Sequence, residues 1–226
     1  MQKKIDLNYY SASRPEIKFI IPGYKVDINP PRILEIGCGT GNFRNNFSYP
    51  VEYWGVEPFD DAAKIASDVL DKVLIGTYEN IHNELPNNYF DCVVCCDVIE
   101  HMENPSGFLS SVKDKIKPDG CLVGSIPNVR YITNLYKLFF EKDWCYTDAG
   151  TLDRTHLRFF TEKSLRKLFL DCGYEIELFT GINSISISTR TWRYLIFTIL
   201  SVLTTKFFWE DTKFFQFGFR LKYIKI

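Results

Sequence analysis

The chain has 226 residues, 46% hydrophobic and 24% charged, a length and balance that suit one folded domain with an extension and exclude disordered or collagen-like chains. Lysine and arginine number 27 against 28 aspartates and glutamates, a net charge of -1 that lacks the basic surplus of a nucleic-acid binder. No apolar stretch or cleavage site follows the two lysines near Met1, so no secretory leader is expected and the default compartment is the cytoplasm.

Short apolar runs alternate with helix-like stretches, the pattern of a parallel α/β sheet. Arg32–Ile36 reads as the first strand and residues 53–57 as the second, stopped by Pro58; Asp60 or Asp61 then caps a helix running to about Leu70. Residues 73–75 form the third strand, and a short helix over 79–85 ends at Pro86. Phe90–Cys96 is apolar almost throughout, as expected of a central strand covered on both faces. Asn104-Pro105 opens a helix to about Lys117, residues 117–120 turn, and residues 121–126 form the fifth strand. Residues 128–160 lack the strand-helix alternation and read as a helix plus a long loop, a lid over the sheet's active edge.

Thr161 starts another helix, ended by Cys172-Gly173, and residues 174–179 form the sixth strand. Residues 192–208 are apolar nearly all round but too short to span a membrane. That tract is either buried, packed on a second copy of the chain as a homodimer contact, or laid on a membrane surface. Alternation of Phe215, Phe217, Phe219, Leu221 and Tyr223 with polar residues and Gly218 marks the seventh strand. Of the seven cysteines, Cys38, Cys92, Cys95, Cys96 and Cys121 lie in apolar runs, which points to reduced, packed thiols and not to a disulfide framework.

The most informative stretch is Glu35-Ile36-Gly37-Cys38-Gly39-Thr40-Gly41. Glycines at alternate positions let a ligand approach the main chain, and a helix starting near Asn42 would offer free N–H groups. A dinucleotide loop wants a glycine at position 42, where Asn42 stands. The spacing with Glu35 ahead of it suits S-adenosylmethionine (SAM) instead. Glu57, ending the second strand, is placed to accept both ribose hydroxyls, with Pro58 on the adenine edge.

These stretches resemble class I SAM-dependent methyltransferases. Residues 35–41 match that family's first motif, Gly55-Val56-Glu57 its second, residues 90–101 its fourth-strand motif and residues 117–120 the turn before its fifth strand. Ser125 to Arg130 and Leu152 to Thr161 are similar to a bacterial subgroup linked to surface-polysaccharide and glycosyl-transfer pathways, itself similar to the ubiquinone-biosynthesis methyltransferases. The resemblance implies a Rossmann-like, seven-stranded, mostly parallel sheet with helices on both faces and a last antiparallel strand, in one domain over residues 1–226. It implies SAM held by Glu35, Gly37, Cys38, Gly39, Thr40, Gly41, Asn42, Glu57, Pro58, Asp97 and Val98. One departure stands out: the family's acidic residue after the third strand is absent from Gly76-Thr77-Tyr78-Glu79. There Thr77 offers a hydroxyl or backbone contact and Tyr78 a stacking ring.

Methyl transfer to a sugar hydroxyl or similar oxygen benefits from a base, and His101 and His156 are the candidates. His101 reads equally as a residue packed beside the cofactor. In an extended segment Arg154, His156 and Arg158 would share a face that grips an anionic acceptor, or would be salt-bridged within the lid. Asp97, Glu100 and His101 have metal-binding side-chain types, but Asp97 reads better as a strand-end residue of the cofactor pocket, so no metal ligand is assigned. The expected activity is O-methylation of a small polar or carbohydrate-linked molecule. The alternatives are a lipid-like quinol precursor at a membrane surface, or a module that binds SAM without transfer.

Overall fold

A computed structural model describes residues 11–24, 29–184 and 210–223. Its strands are β1 Arg32–Ile36, β2 Glu52–Glu57, β3 Lys72–Ile75, β4 Phe90–Cys96, β5 Ile116–Pro127, β6 Tyr174–Ser184 and β7 Phe214–Tyr223. They form one sheet in the order β3-β2-β1-β4-β5-β7-β6. β1 to β5 pair in parallel, while β7 is inserted antiparallel between β5 and β6. The expected Rossmann-like architecture is therefore present. From β1 the chain winds one way through β2 and β3 and the other way through β4 and β5, so the carboxyl ends of β1 and β4 flank a topological switch point, where such sheets hold ligands.

Both faces of the sheet are covered, which explains the continuous apolar runs of β1 and β4. On one face Leu34, Ile36, Val93, Leu122 and Phe219 pack with residues of α3 (Pro105–Val112) and α5 (Glu162–Asp171). On the other, Ile33, Val94 and Val123 meet Ala66 of α1 (Asp60–Ser67), Phe43, Phe47, and Ile17 and Ile20 of a short N-terminal 3-10 helix. Gly218 in β7 leaves room for that last contact, because a Cβ there would press on Ile20 Cδ1. The smaller helices are α2 (Tyr78–Ile81) and α4 (Ile132–Tyr136).

Caps fix the longer helices. Asn104 Oδ1 accepts from Gly107 N at 3.0 Å, and Thr161 and Ser164 form a reciprocal capping box at the start of α5. Asp60 and Asp61 do not cap α1; both lie in its first turn, with Phe59 at the cap position and no side-chain bond to it. The helix expected from Asn42 is only a five-residue 3-10 turn, Asn42–Asn46, which carries little dipole. β5 begins at Ile116, earlier than its apolar run: the register jumps between the Phe90–Ile116 and Cys92–Cys121 pairs, so Lys117 to Gly120 bulge out of a continuous strand. β6 runs on to Ser184, beyond residue 179, because β7 pairs along its length.

The lid segment is closed at its base by a bridge between Asn128 and Phe160. Asn128 Nδ2 also donates to Asp211 O and Phe214 O, anchoring that base to β7. The apolar tract 192–208 lies outside the described residues. Among the described residues no helix is long and apolar enough to cross a membrane. The cysteines are free, and Cys121 Sγ donates to Cys92 Sγ at 3.8 Å in the core.

Glu35 is an acid inside the central strand, buried and accepting from Tyr53 Oη at 2.9 Å. Burial pushes its carboxyl up to about 8, against the opposing pull of the Tyr53 bond and with help from nearby Glu57. Between the ordinary value of 4.5 and about 8 the folded chain keeps a proton that the unfolded chain loses, so stability falls as pH rises through that window. Urea unfolding of the wild type and Glu35→Gln across that range tests this. The wild type should lose stability relative to the variant by on the order of a few kcal/mol; parallel pH profiles would contradict it.

Candidate active site

The turn after β1 is held by β2. Gly37 N and Cys38 N both donate to Val56 O, at 2.8 and 3.1 Å, and Gly41 N closes back on Cys38 O. Gly37, Gly39 and Gly41 have φ of 72°, 53° and 81°, in the left-handed region that side chains rarely adopt. A Cβ on Gly37 would also lie 2.8 Å from Val98 Cγ2, so Val98 packs directly on the turn. Cys38 directs its thiol inward, where a Cβ on Gly55 would meet Sγ at 2.5 Å; position 38 therefore faces a ligand only through backbone.

Glu57 is locked in place before any ligand arrives. Its Oε2 accepts from Gly39 N at 2.8 Å and Oε1 from Phe59 N at 3.0 Å. Burial raises its pKa, and these two N–H groups oppose the rise. One lone pair on each oxygen is left over. Pro58 and Thr77 are exposed at the ends of β2 and β3, Thr40 is buried, and Asn42 Nδ2 donates to Ser11 O at 2.8 Å. Tyr78 is a correction. Its ring is 3% exposed, packed edge-on to Phe108 at 5.0 Å, and its hydroxyl accepts from Ser111. It is core beneath the sheet and not a stacking platform.

Asp97, at φ 54° after β4, is the hub of a network the sequence did not reveal. Its Oδ1 accepts from Ser125 Oγ at 2.8 Å, and its Oδ2 from Gln216 Nε2 at 2.6 Å and from Arg14 Nη1. Arg14 Nη2 also donates to Ser125 Oγ at 2.9 Å. The N-terminal segment is thereby pinned across the carboxyl ends of β4 and β5.

Beyond Asp97 a 3-10 turn, Ile99–His101, meets the segment at Leu157 and Arg158. Glu100 O accepts from Leu157 N and Arg158 N, at 2.9 and 3.0 Å. Its side chain is 1% exposed, and neither carboxyl oxygen has a hydrogen-bond partner. His156 is folded inward, its ring at 4.7 Å from that of His101 in edge-to-face contact. His156 Nδ1 lies 3.3 Å from Thr151 O, and His101 Nδ1 lies 3.2 Å from Thr155 O. A carbonyl only accepts, so each Nδ1 carries a proton, and in a neutral imidazole Nε2 is then the nitrogen with the lone pair. His156 Nε2 stands 3.9 Å from Glu100 Oε1, too far for a hydrogen bond. Burial, with Asp97 adding, raises the Glu100 carboxyl, while burial and then His101 lower the His156 imidazole. Both shifts favour the uncharged forms over an ion pair.

The shared basic face expected of Arg154, His156 and Arg158 is absent. The backbone turns here, with His156 N on Asp153 O and Asp153 Oδ1 accepting from Thr155 N and Oγ1, so the segment is not extended. Arg154 points outward to Asp148 at 2.8 Å, and Arg158 Nη2 donates to Glu103 O. Phe159 instead lies beside His156, with Trp144 edge-on to it at 5.6 Å and Tyr146 at 6.2 Å, an aromatic wall next to the imidazoles. A separate cavity of about 210 Å3, lined by Tyr24, Pro31, Asp91 and Lys117, lies at the amino ends of β1 and β4, away from these groups.

The bare main chain of the three glycines and the preset Glu57 carboxylate fit a nucleoside cofactor that needs no pyrophosphate cradle. Comparison with known proteins agrees. The methyltransferase domain family matches residues 10–178. The ubiquinone biosynthesis O-methyltransferase of Rickettsia bellii is 31% identical over 168 residues, 69% of this chain and 66% of that protein. The mitochondrial ubiquinone biosynthesis O-methyltransferase of Schizosaccharomyces pombe is 38% identical over 100 residues, 41% of this chain and 36% of that protein. The chain thus spans less than two thirds of these relatives' lengths. A SAM-dependent methyltransferase structure from Archaeoglobus fulgidus superposes with a TM-score of 0.60 at 20% identity, covering 85% of this chain and 86% of that one. The chain belongs to the SAM-dependent methyltransferase family, whose cofactor is S-adenosylmethionine.

Proposed function

We propose that the chain transfers a methyl group to a hydroxyl oxygen of a small, ring-bearing molecule. Bound SAM would supply the electrophilic methyl on its sulfonium. Glu57 would hold the ribose hydroxyls with its remaining lone pairs, Pro58 and Thr77 would flank the adenine, and the main chain from Gly37 to Gly41 would lie against the rest of the nucleoside. The turn carrying Glu100 and His101, together with His156 from the lid, would receive the acceptor hydroxyl. The observation that carries this reading is the pair of neighbouring imidazoles whose Nδ1 atoms are committed to backbone carbonyls, which leaves their Nε2 atoms to act on an oxygen. The aromatic wall of Trp144, Tyr146 and Phe159 supports a ring-shaped acceptor.

A lipid-like quinol precursor is the second reading. It is favoured by Leu138, Phe139 and Phe140, 42%, 62% and 63% exposed on the lid, and by the likeness to ubiquinone biosynthesis O-methyltransferases. A sugar-linked acceptor rests on the subgroup resemblance alone, since Arg154 and Arg158 face away from the imidazoles.

Titration calorimetry with SAM and with NAD tests the cofactor: SAM should bind and NAD should not, and the reverse would overturn the reading. His156→Ala should lower kcat by about 10²–10⁴-fold with the SAM dissociation constant unchanged. Undiminished turnover of a catechol-type or sugar acceptor by that variant would remove His156 from the chemistry.

A further inference from the structure

Cys92 and Cys121 are register partners on the parallel strands β4 and β5, and their sulfurs lie 3.8 Å apart in the core. We propose that they form an oxidisable dithiol, a modification site at which hydrogen peroxide converts the two thiols to a disulfide, with Cys121 the attacking sulfur and Cys92 the one that resolves it.

The backbone permits the bond. Register partners project to the same face of a sheet, and neighbouring strands run about 4.8 Å apart, inside the roughly 4.4–6.8 Å between α-carbons that a disulfide accepts. The sulfurs must close to about 2.05 Å, a movement that side-chain rotation supplies. This pair is also the first after the register jump that sets off Lys117 to Gly120, so only the carboxyl side of Cys121 is tied into the regular ladder. Cys38 and Cys95, by contrast, direct their thiols at backbone carbonyls, of Gly39 and Val123.

Cys121 is the better supported as a thiolate. Its sulfur also lies 3.9 Å from Tyr24 Oη, whose hydroxyl donates to Asp91 O at 3.1 Å. Once Cys121 loses its proton, the Cys92 S–H and the Tyr24 O–H can both turn toward the negative sulfur. The Cys92 contact lowers the Cys121 thiol against the rise due to burial, with Tyr24 adding to the lowering, while the same contact and burial raise the Cys92 thiol. Both cysteines are buried, so the oxidant must be small and must approach past Tyr24. That ring lines the cavity of about 210 Å3 bounded by Asp91 and Lys117, roomy for a molecule not much larger than water, whose share of the liquid is about 30 Å3.

The Cys121 thiolate attacks one peroxide oxygen: the S–O bond forms, the O–O bond breaks, and the departing hydroxide takes up the proton that Cys121 released, giving water. Cys92 then attacks the sulfenic sulfur. The S–S bond forms, and the sulfenic hydroxyl leaves with the Cys92 proton as a second water. The two thiols lose two electrons and the peroxide gains them.

The test uses the full-length, reduced chain carrying Cys145→Ser, which removes an exposed thiol, treated with excess hydrogen peroxide at neutral pH while circular dichroism confirms that it stays folded. Remaining thiols are alkylated in denaturant and the peptides mapped without reduction. A linked Cys92–Cys121 peptide, separated again by dithiothreitol, is expected. Cys92→Ala should stop the reaction at a dimedone-reactive Cys121, and Tyr24→Phe, which keeps the ring, should slow bridging by roughly threefold or more. The map of the Cys145→Ser chain needs no core substitution, so it decides the matter should Cys92→Ala fail to fold. Recovery of Cys92 and Cys121 as free thiols, or a bridge from either to a different cysteine, would overturn the site; dimedone capture at Cys92 in a Cys121→Ala chain would overturn the order of attack.

Discussion

The carbonyl of Val56 is the fixed point of this molecule. It accepts from both Gly37 and Cys38, so the end of β2 dictates the path of the turn leaving β1. The next residue, Glu57, repeats the clamp with its side chain by accepting from Gly39. A single strand end thus shapes the turn and fixes the Glu57 carboxylate against it. Three left-handed glycines are the backbone cost of that geometry. The close approach of Val98 to Gly37 ties the same turn to the end of β4, so the two strands flanking the switch point are held in register by packing as well as by hydrogen bonds.

Beyond β4 the logic is reversed, because the Glu100 carboxyl is buried without hydrogen-bond partners. Glu100 uses its main-chain carbonyl to hold Leu157 and Arg158 of the lid, while its carboxyl is left unsatisfied. Leu157 and Arg158 are therefore tied to that turn, and His156 arrives beside His101 as a consequence of that tie. Buried polar groups left incomplete persist where function selects them. Here they lie beyond β4, at the switch-point edge of the sheet.

β1 and β4 are legible to the residue because each is a mostly apolar run that stops at a turn residue, Gly37 after β1 and Asp97 after β4, and buried parallel strands advertise themselves that way. Glu57 was legible from its place at a strand end ahead of a proline. The network around Asp97 was not, because Arg14 lies 83 positions from it and Gln216 lies 119 away, and no local pattern encodes such a meeting. Tyr78 was misread because an aromatic after a strand looks alike whether it faces ligand or core; only the packing of Phe108 decides. The inward turn of His156 depends on Asp153 accepting from Thr155. That Asp-x-Thr turn signal was present in the sequence, and reading the stretch as extended passed over it.

The account stands or falls on what the turn between β1 and Asn42 holds. A crystal structure with S-adenosylhomocysteine tests it most directly. The account predicts ribose hydroxyls within hydrogen-bonding distance of Glu57 and the thioether sulfur directed toward the His101–His156 pair. Clear density for the ligand at any other place, or a crevice still closed over Glu57 at saturating ligand, would contradict it.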